Sequence, residues 1–173
     1  SGSFGYGVFH VQGRLNVNGT AISPVSFTVL EDDAYGSPAD LQTNGSASTP
    51  NLNGATCIYF PDITDDSSSV AYTIFRYNTY PINCNSSSPS ITNCTFSKCN
   101  YGVYMNGTSA PVLNNNAFEN LAGTPLLTSI LSYPASTNNN SISGTTIKAI
   151  GIINETLSQD ATLAKRSFGG LNN

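Results

Sequence analysis

The sequence predicts an all-β fold, a right-handed parallel β-helix (solenoid) built from coils of about 21–22 residues. Three observations carry this prediction. The first is an internal repeat. Residues 89–96, Pro-Ser-Ile-Thr-Asn-Cys-Thr-Phe, match residues 111–118, Pro-Val-Leu-Asn-Asn-Asn-Ala-Phe, at a shift of 22. The prolines, Ile91/Leu113, Asn93/Asn115 and Phe96/Phe118 coincide, and residues 70–75 precede 91–96 by 21. The second is texture, because each unit holds short β-branched and aromatic runs split by Asn, Ser, Gly or Pro turns. The third is composition: 9% charged residues, where soluble proteins average about 25%. Ser, Thr and Asn supply more than a third of the chain. An antiparallel sandwich also has short strands and polar turns, but it gives no reason for matches at one fixed shift.

Along the chain, Leu15 and Val17 alternate with polar neighbours and turn at Asn18-Gly19, and residues 24–29 follow as the next strand. A polar, irregular loop at residues 31–54 interrupts the pattern before residues 57–60 resume it. Strands this short must stack rung on rung, about 4.8 Å apart, to pair their backbones and build one apolar column. Ile58, Ile82 and Val103 are expected in one stack, Val70, Ile91 and Leu113 in a second, and Phe75, Phe96 and Phe118 in a third. Asn93 and Asn115 are expected to form an internal amide ladder. Gly102, Gly123 and Gly144 recur at 21, and residues 138–142 and 147–153 read as a degraded further copy. Residues 1–155 thus form a single domain, with 156–173 as a C-terminal extension or linker. The chain reads as a stack of coils cut at both ends.

Several classes are excluded. Six Lys and Arg against ten Asp and Glu, with a net charge of -4, build no basic stripe for nucleic acid. No apolar run approaches the ~20 residues of a membrane-spanning helix. With 39% hydrophobic residues the chain can bury a core. The four cysteines form no Cys-x-x-Cys pair and lie far from His10, which argues against zinc. Their even number suggests export and disulfides, with three connectivities open. Cys94–Cys99 with Cys57–Cys84 is one of these, and four buried free thiols are the alternative. Candidate glycosylation acceptors in Asn-x-Ser/Thr sequons are Asn18, Asn44, Asn85, Asn93, Asn106, Asn139 and Asn154, although this composition generates many sequons by chance.

Residues 15–21 with 24–28, then 31–36, then 58–60 resemble right-handed parallel β-helix proteins of the bacterial surface. In those proteins a Gly-x-Leu-x-Val-x-Gly-Thr rung and a Pro-Val-x-Phe-Thr strand precede an Asp/Gly/Asn-rich loop and a Gly-Ile-Tyr-Phe strand. Residues 91–96 and 101–104 likewise resemble a repeat of the pectate-lyase-like superfamily. The resemblance covers about residues 8–153. It implies the fold; such coils serve in lyases, hydrolases, adhesins and stalks.

A polysaccharide lyase on this fold needs a base beside carboxylates, often with Ca²⁺. Arg76 and Lys98, 22 residues apart, are the cations placed for it, though solvated cations are the simpler expectation. A hydrolase needs two carboxylates roughly 5–9.5 Å apart. Glu31, Asp32, Asp33, Asp40, Asp62, Asp65, Asp66 and Glu119 fall mostly in loops instead. Asp62, Asp65 and Asp66 are the candidate Ca²⁺ ligands, against solvated turn caps. His10 has no evident Ser or Cys partner, and the threonines do not form the ranks that ice binding requires. Tyr59, Tyr72, Tyr77, Tyr101 and Tyr104 are candidates for stacking on sugars. The expected role is a non-enzymatic structural or adhesive module, extracellular or on the cell surface, without a cofactor beyond Ca²⁺. The expectation includes self-association through open solenoid ends, into a filament or a longer stalk. A polysaccharide-binding or lyase-like domain is the alternative.

Overall fold

A computed structural model describes residues 7–35, 49–52, 54–163 and 165–172. Its strands run in coils of three. The first coil holds β1 (Phe9–His10), β2 (Asn16–Asn18) and β3 (Val25–Phe27). The second holds β4 (Gly54–Phe60), β5 (Ser69–Ala71) and β6 (Thr73–Arg76), and the third β7 (Asn78–Asn85), β8 (Ser90–Thr92) and β9 (Thr95–Ser97). The fourth holds β10 (Val103–Asn106), β11 (Val112–Asn114) and β12 (Ala117–Glu119). β13 (Leu126–Thr128), β14 (Ser141–Ser143) and β15 (Ile150–Ile152) continue it, and a hairpin of β16 (Ser167–Phe168) and β17 (Leu171–Asn172) ends the described chain.

The coils stack into three parallel sheets, ordered β1-β4-β7-β10-β13-β15, β2-β5-β8-β11 and β3-β6-β9-β12-β14. All three expected stacks are present. Ile58, Ile82, Val103, Leu126 and Ile150 share one register column. Val17, Val70, Ile91 and Leu113 share the second. Phe27, Phe75, Phe96 and Phe118 share the third. Their rings stack face to face, with centroids 5.4, 5.2 and 4.8 Å apart. The coil length is less uniform than expected. The first column steps by 24, 21, 23 and 24 residues, because turns absorb length while strands hold register.

Of the three corners that recur with a left-handed residue, one holds Ser86 and Gly107, and the other two bear on the candidate residues. One of these two holds Tyr72, Asn93, Asn115 and Asn139, with φ between 47 and 57°. The other holds Tyr77, Lys98 and Asn120, at 58, 54 and 53°, and then Gly144. Asn tolerates this region better than most residues, which explains the Asn93/Asn115 match. It also corrects their expected role. Asn93 is half-buried and Asn115 exposed, so they turn the chain and do not line the interior.

The internal amides lie one residue later. Asn116 Oδ1 accepts the Cys94 N–H at 2.9 Å while its Nδ2 donates to the Ile91 carbonyl at 3.0 Å. Asn140 repeats this on the Asn116 N–H and the Leu113 carbonyl, at 3.0 and 2.7 Å. Ser87, Ser109 and Ser132, all fully buried, form a second interior ladder at another corner. The glycine recurrence does not mark equivalent positions. Gly102 lies against Pro125, Gly123 against Asn100, and Gly144 occupies the corner of Asn120.

The two ends differ. Residues 156–173, expected as a C-terminal extension or linker, include the hairpin β16–β17, whose Phe168 is 1% exposed and packs edge-on against Phe118. Tyr133 clasps it: the hydroxyl donates to the Ser167 carbonyl at 2.6 Å and accepts the Ser167 N–H at 3.1 Å. The C-terminal end of the column is therefore plugged. At the other end β1, β2 and β3 are each the outermost strand of a sheet among the described residues, and Phe9 is 56% exposed.

Candidate functional site

The outer face of the longest sheet gathers most of the candidate aromatics. Tyr59, Asn83 and Tyr104 share one outward register column, with His10 stacked on Tyr59 at 5.0 Å. Tyr80 and Tyr101 stack beside them at 5.3 Å, and Tyr104 meets Tyr80 edge-on at 5.2 Å. Asn85 donates from Nδ2 to the Tyr59 hydroxyl at 3.2 Å. Tyr80 was missed in the sequence, although it precedes Tyr101 by 21, the shift of the repeat.

These rings already cover one another. Tyr101 has Tyr80 against one face and Gly123 against the other, where an added Cβ would come within 2.7 Å of the ring. What the row offers outward is ring edges, hydroxyls and amides, not open faces for sugar stacking. Tyr104 is pushed up in pKa by burial, with Tyr80 and Glu155 adding to the effect. Glu155 is held there by the Ser129 hydroxyl at 2.8 Å and the Ile130 N–H at 2.6 Å. Tyr72 and Tyr77 lie elsewhere, in two of the left-handed corners.

Tyr77 belongs to a polar cluster on the third sheet. Arg76 points outward from β6, as its strand alternation predicts, but it is not a solvated cation. Its Nε lies 3.0 Å from the buried carboxylate of Asp32, which also accepts the Thr28 hydroxyl at 2.6 Å. The guanidinium sits over the rings of Tyr35 and Tyr77, at 4.9 and 5.2 Å. Burial alone would lower the Arg76 pKa; bonds to Tyr77 and Tyr35 and the Asp32 charge outweigh it and raise it. Lys98 is exposed and donates from Nζ to the Tyr77 hydroxyl at 3.2 Å.

The candidate calcium ligands do not converge. Asp65 caps Ser67 through its N–H and hydroxyl, at 2.8 and 2.6 Å, and those bonds lower its pKa. Asp66 accepts the Ser88 N–H at 2.6 Å, and Asp62 is exposed. Among the described residues, no three His, Cys, Asp or Glu side chains gather as a metal site. Asp65 caps its own turn, and Asp66 bonds across to the next coil.

The disulfide reading is also corrected. All four cysteines are free and buried. Cys94 and Cys99 face the interior at different corners, where their thiols lie nearest the Thr92 and Ser97 carbonyls, at 3.3 and 3.4 Å, and 3.5 Å from the Val70 and Phe75 carbonyls of the preceding coil. Burial pushes Cys57 and Cys99 up to about 12 and Cys94 to about 11, and raises Cys84 as well. Among the sequons, Asn18, Asn139 and Asn154 are exposed, Asn85, Asn93 and Asn106 are half-buried, and Asn44 lies outside the described residues, as does Asp40.

No curated protein and no solved structure matches the chain. A family model described as a right-handed beta helix region matches residues 48–169, which is most of its length. That span begins just before β4 and ends within the C-terminal hairpin, so it covers the second and later coils and leaves β1–β3 and β17 outside. Stacked parallel coils and family match agree, and the chain belongs to the right-handed β-helix family.

Proposed function

We propose that the chain is a non-enzymatic structural or adhesive module, extracellular or on the cell surface, that pairs with a second copy through its N-terminal rung. The observation that carries this reading is the contrast between the two ends. Phe9 occupies an inward register position opposite Ile58, yet it is 56% exposed, and Val8 beside it is 45% exposed. Edge strands are ordinarily protected by charged side chains or irregular geometry. Neither β1, β2 nor β3 carries a charged residue. Among the described residues no strand pairs the outer edges of β1, β2 and β3, and a further rung of the same cross-section would match all three. The plugged C-terminal end opposes continued head-to-tail stacking, so the favoured assembly is closed, rung to rung about a twofold axis. The surface location draws its support from the resemblance to bacterial surface β-helix proteins.

Sedimentation of the purified chain across the micromolar range tests this reading. The expected result is a concentration-dependent dimer of the 18.2 kDa chain, converted to monomer by Phe9→Glu. A monomer at every concentration, or a dimer indifferent to Phe9→Glu, overturns it. The second reading, contact with polysaccharide, is supported by the outward row of tyrosine hydroxyls and amides around Tyr59, Asn85 and Tyr104.

A further inference from the structure

We propose that the Asn106–Gly107 peptide is a self-modification site, at which the folded chain promotes deamidation of Asn106 through a cyclic imide. Such a ring closes when the backbone nitrogen after an asparagine attacks the side-chain amide. It needs a following residue without a side chain in the way, and a nitrogen free to reach the amide carbon. Asn-Gly pairs meet the first need, and two of them lie among the described residues, Asn18–Gly19 and Asn106–Gly107. The structure separates them on the second.

At the first pair the nitrogen is committed. The Gly19 N–H donates to the Ala71 carbonyl of the next coil at 3.1 Å, and an added Cβ at Gly19 would collide with the Tyr72 carbonyl oxygen. Closing an imide there breaks a bond between coils in a tightly packed place. At the second pair the side chain is folded onto its own peptide: the Gly107 N–H donates instead to Oδ1 of Asn106, at 2.8 Å. A turn about the Cβ–Cγ bond then presents the amide carbon to the nitrogen, with the reacting groups already held together.

The peptide is also activated. Its carbonyl oxygen, that of Asn106, accepts the Ser86 N–H at 3.1 Å and the Ser109 hydroxyl at 2.8 Å. Loss of the Gly107 proton leaves an amidate whose charge spreads onto that oxygen, and donors fixed there beforehand stabilise it. The corner sets these parts in place for its own reasons. Gly107 holds a φ of 64°, and a side chain there would strike the Ser86 hydroxyl. Asn106 and Gly107 are both half-buried, so solvent reaches them.

The steps balance with water alone. Solvent hydroxide takes the Gly107 proton, the nitrogen bonds to Cγ of Asn106, and Nδ2 takes a proton and leaves as ammonia. Water then opens the imide at either carbonyl, leaving an aspartyl or an isoaspartyl residue at position 106. The isoaspartyl form lengthens the main chain at a corner that the Ser132 hydroxyl ties down through the Gly107 carbonyl, at 2.8 Å. Either product removes the amide of the Asn106 sequon.

The test incubates the intact chain at pH 8, native and in guanidinium, and follows both sites by peptide mapping with mass spectrometry. The ratio of the Asn106 rate to the Asn18 rate is expected to be higher in the native chain than in the unfolded one, by at least tenfold. The Asn106 rate itself is expected to be at least as fast in the native chain, and to yield aspartyl and isoaspartyl products together, the mark of an imide. A native ratio no higher than the unfolded one, a native Asn106 slower than the unfolded one, or an aspartyl product alone overturns the proposal.

Discussion

Cys94 and Cys99 show how one residue type serves a buried corner. Each thiol meets a carbonyl of the preceding coil that water cannot reach, and burial keeps the proton on sulfur. The expected outcome is that none of the four thiols reacts with an aromatic disulfide reagent at pH 8 in the native state, and that all four react in guanidinium. The same shifts give a pH dependence. A folded-state pKa above the ordinary 9.0 favours the folded state while the thiol stays protonated. That contribution is complete below pH 9 and is lost as pH rises toward the folded values of about 11 to 12. Denaturant melts from pH 8 to 11.5 should show stability falling across this window; a flat profile would contradict the burial.

The unit of the fold is the corner as much as the strand. Asn116 satisfies a backbone N–H and a backbone carbonyl that are otherwise enclosed, whereas Asn115 beside it is exposed. Asn116→Ala is expected to destabilise the fold by about 2–3 kcal/mol, because two buried groups lose their partner. Asn115→Gly is expected to change stability by about 0.5 kcal/mol or less, because glycine also suits the left-handed corner. Chemical denaturation of the two variants checks both. This difference marks how far the sequence could be read. The strand stacks were legible because Ile, Val and Phe recur at inward positions with nearly constant spacing. The corners were not, because three consecutive asparagines at 114–116 look alike in sequence while one bonds outward, one turns the chain and one faces the interior.

At the scale of the molecule, the plug is what the sequence concealed. Residues 166–172 have little strand character, and nothing local shows that Phe168 ends up on Phe118, fifty residues earlier. Gathering the cluster around Arg76 also depended on long-range placement, because Asp32 and Tyr35 reach it across more than forty residues. Phe168→Ala is expected to cost about 3–4 kcal/mol, as for other large-to-small core substitutions. It should also speed amide exchange in β14, which Gly169 touches through Ile142, with little effect on β7 and β8. Uniform loss of protection throughout the stack would show that the hairpin supports the whole column, not its end.

The register pairs also set an order of assembly. Between most neighbouring coils, partners are 21 to 24 residues apart, as in Val70 to Ile91 and Leu126 to Ile150. Between the first coil and the second they are 53 apart for Val17 and Val70, and 48 for Phe27 and Phe75. Closing the longer segment costs about 0.7 kcal/mol more in chain entropy. Zipping should begin among β7 to β12 and spread outward, so that the first rung is the last to join and the first to fray. The pairing surface would then be completed only after the rest of the column stands, which delays edge-to-edge contact between chains until each is otherwise folded.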